Sequence, residues 1–394
     1  MFIYVDNEKS AKIKVIGVGG AGGNAINNMI ASNLLGVKFI AANTDAQALE
    51  ISRAQVKIQI GEKLTEGLGA GADPQVGREA ALENAEAIKN ALGGSHMIFI
   101  TAGLGGGTGT GAAPVVAEIC KELGALTVAV VTKPFSFEGK ERTRKAEEGI
   151  NALKEMADTV ITIPNDRLRG IASKGATVIE MFKKADGILL DSVKGITDLI
   201  MMPGLVNLDF ADIRTIMSKA GMAIMGIGTA EGENRAVEAA ECAISHPLLE
   251  DISISGAKGV LMNITSASDL TMEEMAGASE RIYNEVGEDA EIIWGQSIDE
   301  SLGAKMRVTV IATGIGAGPG SAVPEKLRDH RLRGKLRDLT PADIQNATDY
   351  DEPTFIRMKK AVGESSGATY RGYKGIVIDN DDLDIPTFLR KKAD

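Results

Sequence analysis

Gly103-Leu-Gly-Gly-Gly-Thr-Gly-Thr-Gly111 carries six glycines and two threonines in nine positions. An apolar run, Met97-Ile-Phe-Ile-Thr-Ala102, comes before it, and a helix-like segment, Ala112-Ala-Pro-Val-Val-Ala-Glu-Ile-Cys-Lys-Glu-Leu123, comes after it. Strand, glycine loop and helix start form an arrangement that binds phosphate. Glycine lets the backbone come close and adopt positive φ, so that successive N–H groups can face an anion. The helix N-terminus adds partial positive charge, and the threonine hydroxyls add donors. The loop has no lysine, so it is not of the G-x-x-x-x-G-K-[ST] kind. The phosphate charge has to be met by backbone N–H groups and a metal ion. A flexible linker is the competing reading, but a linker has no reason to sit between a buried strand and a helix.

Working outward, strands are expected at 12–18, 37–43, 97–101, 126–132 and 159–163, with a helix at 80–92 among the segments between them. Most of these strands are near-continuous apolar runs, as expected for strands covered on both faces. The alternation predicts an α/β fold with a doubly wound parallel sheet and ligands at the carboxyl ends of its strands. A long helix follows over 177–201, with Val178, Phe182, Ala185, Leu189, Val193, Ile196 and Ile200 at i+3/i+4 spacing. Strands at 223–228, 259–265, 291–294 and 306–313, with helices at 233–245 and 272–286, predict a smaller mixed α/β domain. Past Gly316 the apolar periodicity stops, as in a disordered linker. The expected division is an N-terminal extension (1–11), a nucleotide domain (12–176), a central helix (177–204), a second domain (205–316), a linker (317–380) and a terminal peptide (381–394).

The chain has 394 residues and a net charge of -11, which argues against a nucleic-acid partner. Two distant cysteines, Cys120 and Cys242, fit a reducing compartment. The first residues lack the pattern of a signal peptide, and no apolar run approaches a membrane span, so a cytoplasmic protein without membrane insertion is expected. Three scattered histidines make chemistry on a His base or a His-held metal improbable.

A second glycine loop, Gly17-Val-Gly-Gly-Ala-Gly22, fits G-x-G-x-x-G after a strand, and Asp45 stands where a ribose-binding acid would be. Alone this reads as a dinucleotide fingerprint. The richer loop at 103–111 and a third, Gly67-Leu-Gly-Ala-Gly-Ala-Asp73, suit one polyphosphate held from several sides.

Gly105-Gly-Gly-Thr-Gly-Thr-Gly111 resembles the signature loop of the tubulin/FtsZ GTPase superfamily. The surroundings resemble its bacterial cell-division branch: Ile16-Gly-Val-Gly-Gly-Ala-Gly-Gly-Asn24, Asn43-Thr-Asp-Ala-Gln47, residues 67–73, Thr132-Lys-Pro-Phe135, Phe137-Glu-Gly139, Asn207-Leu-Asp-Phe-Ala-Asp212 and Asp384-Ile-Pro-Thr-Phe-Leu-Arg390. The resemblance implies a GTPase that polymerises head to tail into the division ring at midcell, with GTP or GDP and Mg²⁺ bound and a monovalent cation as a further candidate.

The same resemblance assigns residues. Gly20, Ala21, Gly22, Gly23, Asn24, Gly103, Gly105, Gly106, Gly107, Thr108, Gly109 and Thr110 would hold phosphates, with Ala70 and Gly71 near the γ-phosphate. Asn43, Thr44 and Pro134 would line the cleft, Glu138 and Arg142 the ribose side, and Asn165, Phe182 and Asp186 the guanine. Asp209 and Asp212, with Asn207 positioning their loop, would enter the next subunit's pocket and complete hydrolysis. Read from the residues alone, the stretch 207–212 is an N-cap that opens a helix expected at 213–220, Phe182 is a core residue and Glu138/Arg142 a surface pair.

The terminal peptide, with Asp384, Ile385, Pro386, Thr387, Phe388, Leu389 and Arg390, would recruit membrane-anchor and regulatory division proteins. An inner stretch at 349–360 repeats its Pro-Thr-Phe-aliphatic-Arg core. The alternatives are a nucleotide-bound scaffold that does not hydrolyse, and a nicotinamide-dependent oxidoreductase using 17–22 and Asp45.

Overall fold

The computed structural model describes residues 11–171, 175–201, 209–218, 222–249, 254–287 and 290–315. The expected N-terminal extension up to residue 10, the linker, the inner repeat and the terminal peptide lie outside the described residues.

Six strands, β1 (Ile13–Val18), β2 (Val37–Asn43), β3 (Val56–Gln59), β4 (Met97–Gly103), β5 (Leu126–Lys133) and β6 (Thr159–Pro164), open the fold. Between them run α1 (Gly19–Ala31), α2 (Ala46–Glu50), α3 (Glu62–Thr65), α4 (Pro74–Glu83), α5 (Ala85–Leu92), α6 (Thr108–Glu122) and α7 (Lys140–Met156). Then come α8 (Leu168–Ile171), α9 (Val178–Met201), α10 (Phe210–Met217), β7 (Met222–Glu231), α11 (Arg235–Ile244), β8 (Gly259–Ser266), α12 (Met272–Val286), β9 (Glu291–Ile298) and β10 (Lys305–Ile315).

The strand order is β3-β2-β1-β4-β5-β6-β7-β10-β8-β9. The first seven positions pair in parallel, and β10 is antiparallel to both β7 and β8. The two halves expected as separate domains therefore share one sheet, joined by two residue pairs, Val160↔Met222 and Ile161↔Ala223. Alternate side chains of the parallel half enter two cores. Val15, Phe99 and Val128 face α1 and α9, whereas Ile16, Ile98 and Ala129 face α5, α6 and α7. Both faces are covered, which is why these strands read as continuous apolar runs. In the mixed half, Val260, Met262 and Val308 pack under α11 and α12, while Met225, Leu261 and Ile311 join the core of α9.

α9 has 24 residues, about 36 Å at 1.5 Å per residue. Its buried stripe of Ala185, Leu189, Val193, Ile196 and Leu199 is shared by both halves. Its last residue, Met201, lies against Gly36, just ahead of β2, so the helix runs the length of the sheet to its amino edge.

Three sequence expectations shift. The helix expected at 80–92 is two helices, α4 and α5, separated at Asn84. The helix after the glycine loop begins at Thr108, inside the loop itself. β3 had no counterpart in the pattern.

Candidate functional site

The order β3-β2-β1-β4-β5-β6 reverses direction between β1 and β4, and a crevice opens at the carboxyl ends of strands at such a point. There lies a cleft of about 330 Å³. α1 starts directly after β1 and α6 shortly after β4, and neither start carries a side-chain cap: the capping positions are Val18 and Gly107. A Cβ on Gly19 would come within 3.0 Å of Gly109 N, so the two starts touch. Two positive helix ends without side-chain caps thus meet in one cleft, an arrangement that can take an anion.

Packing holds these loops in place. Gly105 N donates to Thr110 Oγ1 at 2.9 Å and Leu104 N to the Thr132 carbonyl at 3.0 Å. Loop 67–73 leans on the start of α6: a Cβ on Gly107 would meet the Ala70 side chain at 2.9 Å. Lys145 Nζ donates to the Ala72 carbonyl at 2.9 Å, tying that loop to α7.

The far wall of the cleft is built for a flat ligand with donors. Phe182, 43% exposed on the first turns of α9, meets the buried Phe135 edge-on at 5.4 Å. Asn165 is 4% exposed, and its Oδ1 has no hydrogen-bond partner among the described residues. Burial pushes the Asp186 carboxyl up to about 6. Two acceptors beside an aromatic face call for a planar base that donates. Glu138 accepts from Phe135 N at 2.8 Å and pairs with Arg142, so both are held in the wall.

Of the residues expected on the nucleotide, Gly20, Ala21, Gly103, Gly106, Gly107, Thr108, Gly109, Pro134, Glu138, Arg142, Asn165, Phe182 and Asp186 line the cleft. Gly22, Gly23, Asn24, Asn43, Thr44, Ala70, Gly71, Gly105 and Thr110 are not among its lining residues. Gly22 packs α1 on the sheet, since a Cβ there would sit 2.5 Å from the Thr101 carbonyl. Thr110 braces the loop from behind, and Thr44 is buried behind Thr108. Gly19, Leu104, Thr132, Ala185 and Leu189 also line the cleft, although none of them was expected on the nucleotide. Thr132 was findable from its place at the end of a strand. Asp45, the acid of the oxidoreductase alternative, is engaged elsewhere: it caps α2, accepting from Gln47 N at 2.9 Å and Ala48 N at 3.2 Å.

Asp209 and Asp212 lie at the other edge of the sheet. Asp209 caps α10, accepting from Asp212 N at 2.8 Å. Phe210 is 6.2 Å from the ring of His96, just ahead of β4, and Arg214 reaches the Gly124 carbonyl, just ahead of β5. The strands between are seven and eight residues long, roughly 23–26 Å at 3.3 Å per residue. Neither acid lines the cleft of its own chain. Asn207 lies outside the described residues.

Comparison with known proteins identifies the family. A profile of the Tubulin/FtsZ family GTPase domain matches residues 12–173, and one of the FtsZ family C-terminal domain matches 221–316. The chain is 50% identical over 388 residues to the cell division protein FtsZ of Coxiella burnetii, covering 97% of each. It is 48% identical over 400 residues to that of Pseudomonas aeruginosa, covering 100% of each. Among solved structures, an empty FtsZ dimer from M. jannaschii superposes with a TM-score of 0.75 at 47% identity, over 79% of this chain and 90% of that one. CetZ2 of Haloferax volcanii shares the fold, with a TM-score of 0.66 at 22% identity over 77% of this chain and 93% of that one. The chain belongs to the FtsZ branch of the tubulin/FtsZ family, the tubulin-like GTPases of cell division.

Proposed function

We propose that the cleft holds GTP between the helix starts and the Phe182 wall, and that hydrolysis is completed by acids of a second copy stacked head to tail. The observation that carries this reading is the separation of two half-sites, the cleft at the carboxyl edge of the sheet and Asp212 at its amino edge. Stacking copies in one orientation brings the amino edge of one to the carboxyl edge of the next. The M. jannaschii relative is described as a dimer, which supports self-association.

Guanine fits the wall better than adenine. Guanine offers N1–H and an amino group on one edge, which Asp186 and Asn165 Oδ1 can accept, whereas adenine puts an acceptor at N1. Phosphoryl transfer depends mainly on positioning and charge. Asp212 of the neighbouring copy would orient and polarise the attacking water, with Asp209 shaping the turn and Asn207 ahead of it. Among the described residues no group of three or more His, Cys, Asp or Glu is arranged to hold a metal ion. Backbone and hydroxyl groups around the loops suit Mg²⁺ carried in on the phosphates, where it would neutralise their charge.

The terminal peptide would dock membrane-anchor and regulatory division proteins, placing the polymer in the cytoplasm at the division site. The inner repeat would bind the same partner more weakly and raise avidity. A peptide of residues 347–361 should bind a partner that takes 380–394; no binding removes the inner copy from the proposal.

Phosphate release from GTP across a protein concentration series tests the shared site. A threshold followed by a steep rise, lost in Asp212→Ala, is expected. Release linear from the lowest concentration would mean that each chain carries a complete site.

A further inference from the structure

Thr44 follows β2 and is fully buried, with its Oγ1 2.7 Å from Oγ1 of Thr108, the first residue of α6. Among the described residues this is the one hydrogen bond of the Thr44 hydroxyl. The Thr65 hydroxyl has two carbonyls in reach of its one proton, that of Gly61 at 2.9 Å and that of Thr44 at 3.3 Å. Ala46 N donates to the Gly67 carbonyl at 3.0 Å and Leu68 N to the Thr65 carbonyl at 2.9 Å. Thr44 is thus pinned between the start of α6 and the turn that begins loop 67–73, and it cannot drift from Thr108.

A hydroxyl has one proton and two lone pairs, so of two facing hydroxyls only one can donate to the other. Thr108 lines the cleft; Thr44 does not. When Thr108 gives its proton to an anion there, the bond between the two threonines survives only if Thr44 is the donor. Linked hydroxyls of this kind polarise one another in the donating direction. We propose that Thr44 is a positioning residue for phosphate binding: its hydroxyl donates to Thr108 Oγ1 and so fixes the Thr108 proton on the phosphate. The inference rests on residues 103–110 being the phosphate loop.

The experiment measures GDP affinity, by competition with a fluorescent GDP analogue, for full-length Thr44→Val, Thr44→Ser, Thr108→Val and the double variant Thr44→Val/Thr108→Val. Valine keeps the shape of threonine and removes the hydroxyl. Thr44→Val is expected to weaken GDP binding on the order of 10-fold, the result of leaving one buried acceptor without its donor. Thr44→Ser should bind like the wild type. The double variant should bind no worse than Thr108→Val, because no hydroxyl is left to orient. Wild-type affinity in Thr44→Val beside a weakened Thr108→Val overturns the inference and leaves the phosphate loop standing. Additive losses in the double variant also overturn it, since a mere packing role predicts them. Wild-type affinity in Thr108→Val means that its hydroxyl does not hold the phosphate and overturns the inference, whereas a wild-type protein that takes no GDP overturns the phosphate loop itself. If thermal melts show that Thr44→Val is unfolded, Thr44→Ala against Thr44→Ser carries the same comparison.

Discussion

α6 and α10 both begin with N–H groups that have no partner inside the helix, yet only α10 brings an anion of its own. Asp209 closes the start of α10 by accepting from Asp212 N at 2.8 Å. The start of α6 at Gly107 has no such side chain and meets the equally bare start of α1. A capped start is electrically finished; a bare pair of starts asks for an anion from outside. The contrast also divides the labour of the two acids. Asp209 gives one oxygen, Oδ1, to its own helix, whereas the exposed carboxylate of Asp212 has no partner among the described residues.

The sharpest way to break that division is to remove each acid in turn. Asp212→Ala should lower phosphate release by assembled protein on the order of 10²–10⁴-fold, the usual worth of a positioned acid or base, with GDP affinity unchanged. Asp209→Ser keeps a cap and should release phosphate close to the wild-type rate. Equal losses in the two would mean that Asp209 does more than cap.

Bareness at α6 can be tested sterically. A Cβ on Gly107 would come within 2.9 Å of both the Ala70 side chain and Asp73 N, whereas one on Gly106 would meet nothing within 4 Å. Gly107→Ala should cost roughly 1–3 kcal/mol in urea unfolding and weaken GDP binding, as overpacking does. Gly106→Ala should unfold like the wild type.

A smaller effect comes from Asp186, whose carboxyl is pushed by burial from its ordinary 3.8 up to about 6. A base that donates needs the ionised form. GDP affinity should therefore fall below pH 6, by up to about tenfold per unit, and Asp186→Asn should flatten that dependence. The sign reverses for stability of the empty protein. Between 3.8 and about 6 the native state holds a proton that the unfolded chain has released, so this group makes the empty fold less stable as pH rises through that window. The smallest expected effect is at the cap: Asp209→Ala should lose about 1 kcal/mol of stability and Asp209→Ser little of it.

Much of this was legible in the residues. β2 and α12 can be read to their end residues, because apolar runs stop at clear polar signals such as Thr271, which caps α12. β3 could not be read, since Val-Lys-Ile-Gln at the sheet edge buries one side chain, Ile58. The break at Asn84 depends on a distant partner: its Oδ1 accepts from Gly61 N at 2.8 Å, 23 positions away, and no local pattern reveals that. The joining of β6 to β7 likewise rests on two long-range pairs. At the cleft, glycine counts locate the loops around it but cannot separate glycines that line it from those that pack. Gly111 is of the second kind, since a Cβ there would sit 1.9 Å from the Pro74 carbonyl. Which carboxylate is spent on a cap and which is left over also appears only in three dimensions.

The placement of cleft and acid turn at opposite edges of one sheet makes any stack of these chains directional. In the head-to-tail stack proposed above, a row of n copies would enclose n − 1 complete sites. At one terminus a cleft would be left with no acid turn over it, and at the other an acid turn would have no cleft to act on. The nucleotide in that last cleft would outlive those in the interior, so that each filament would age from within while one tip kept its triphosphate. Turnover per copy would rise with length, and the two tips would grow and shrink under different rules although every copy is the same.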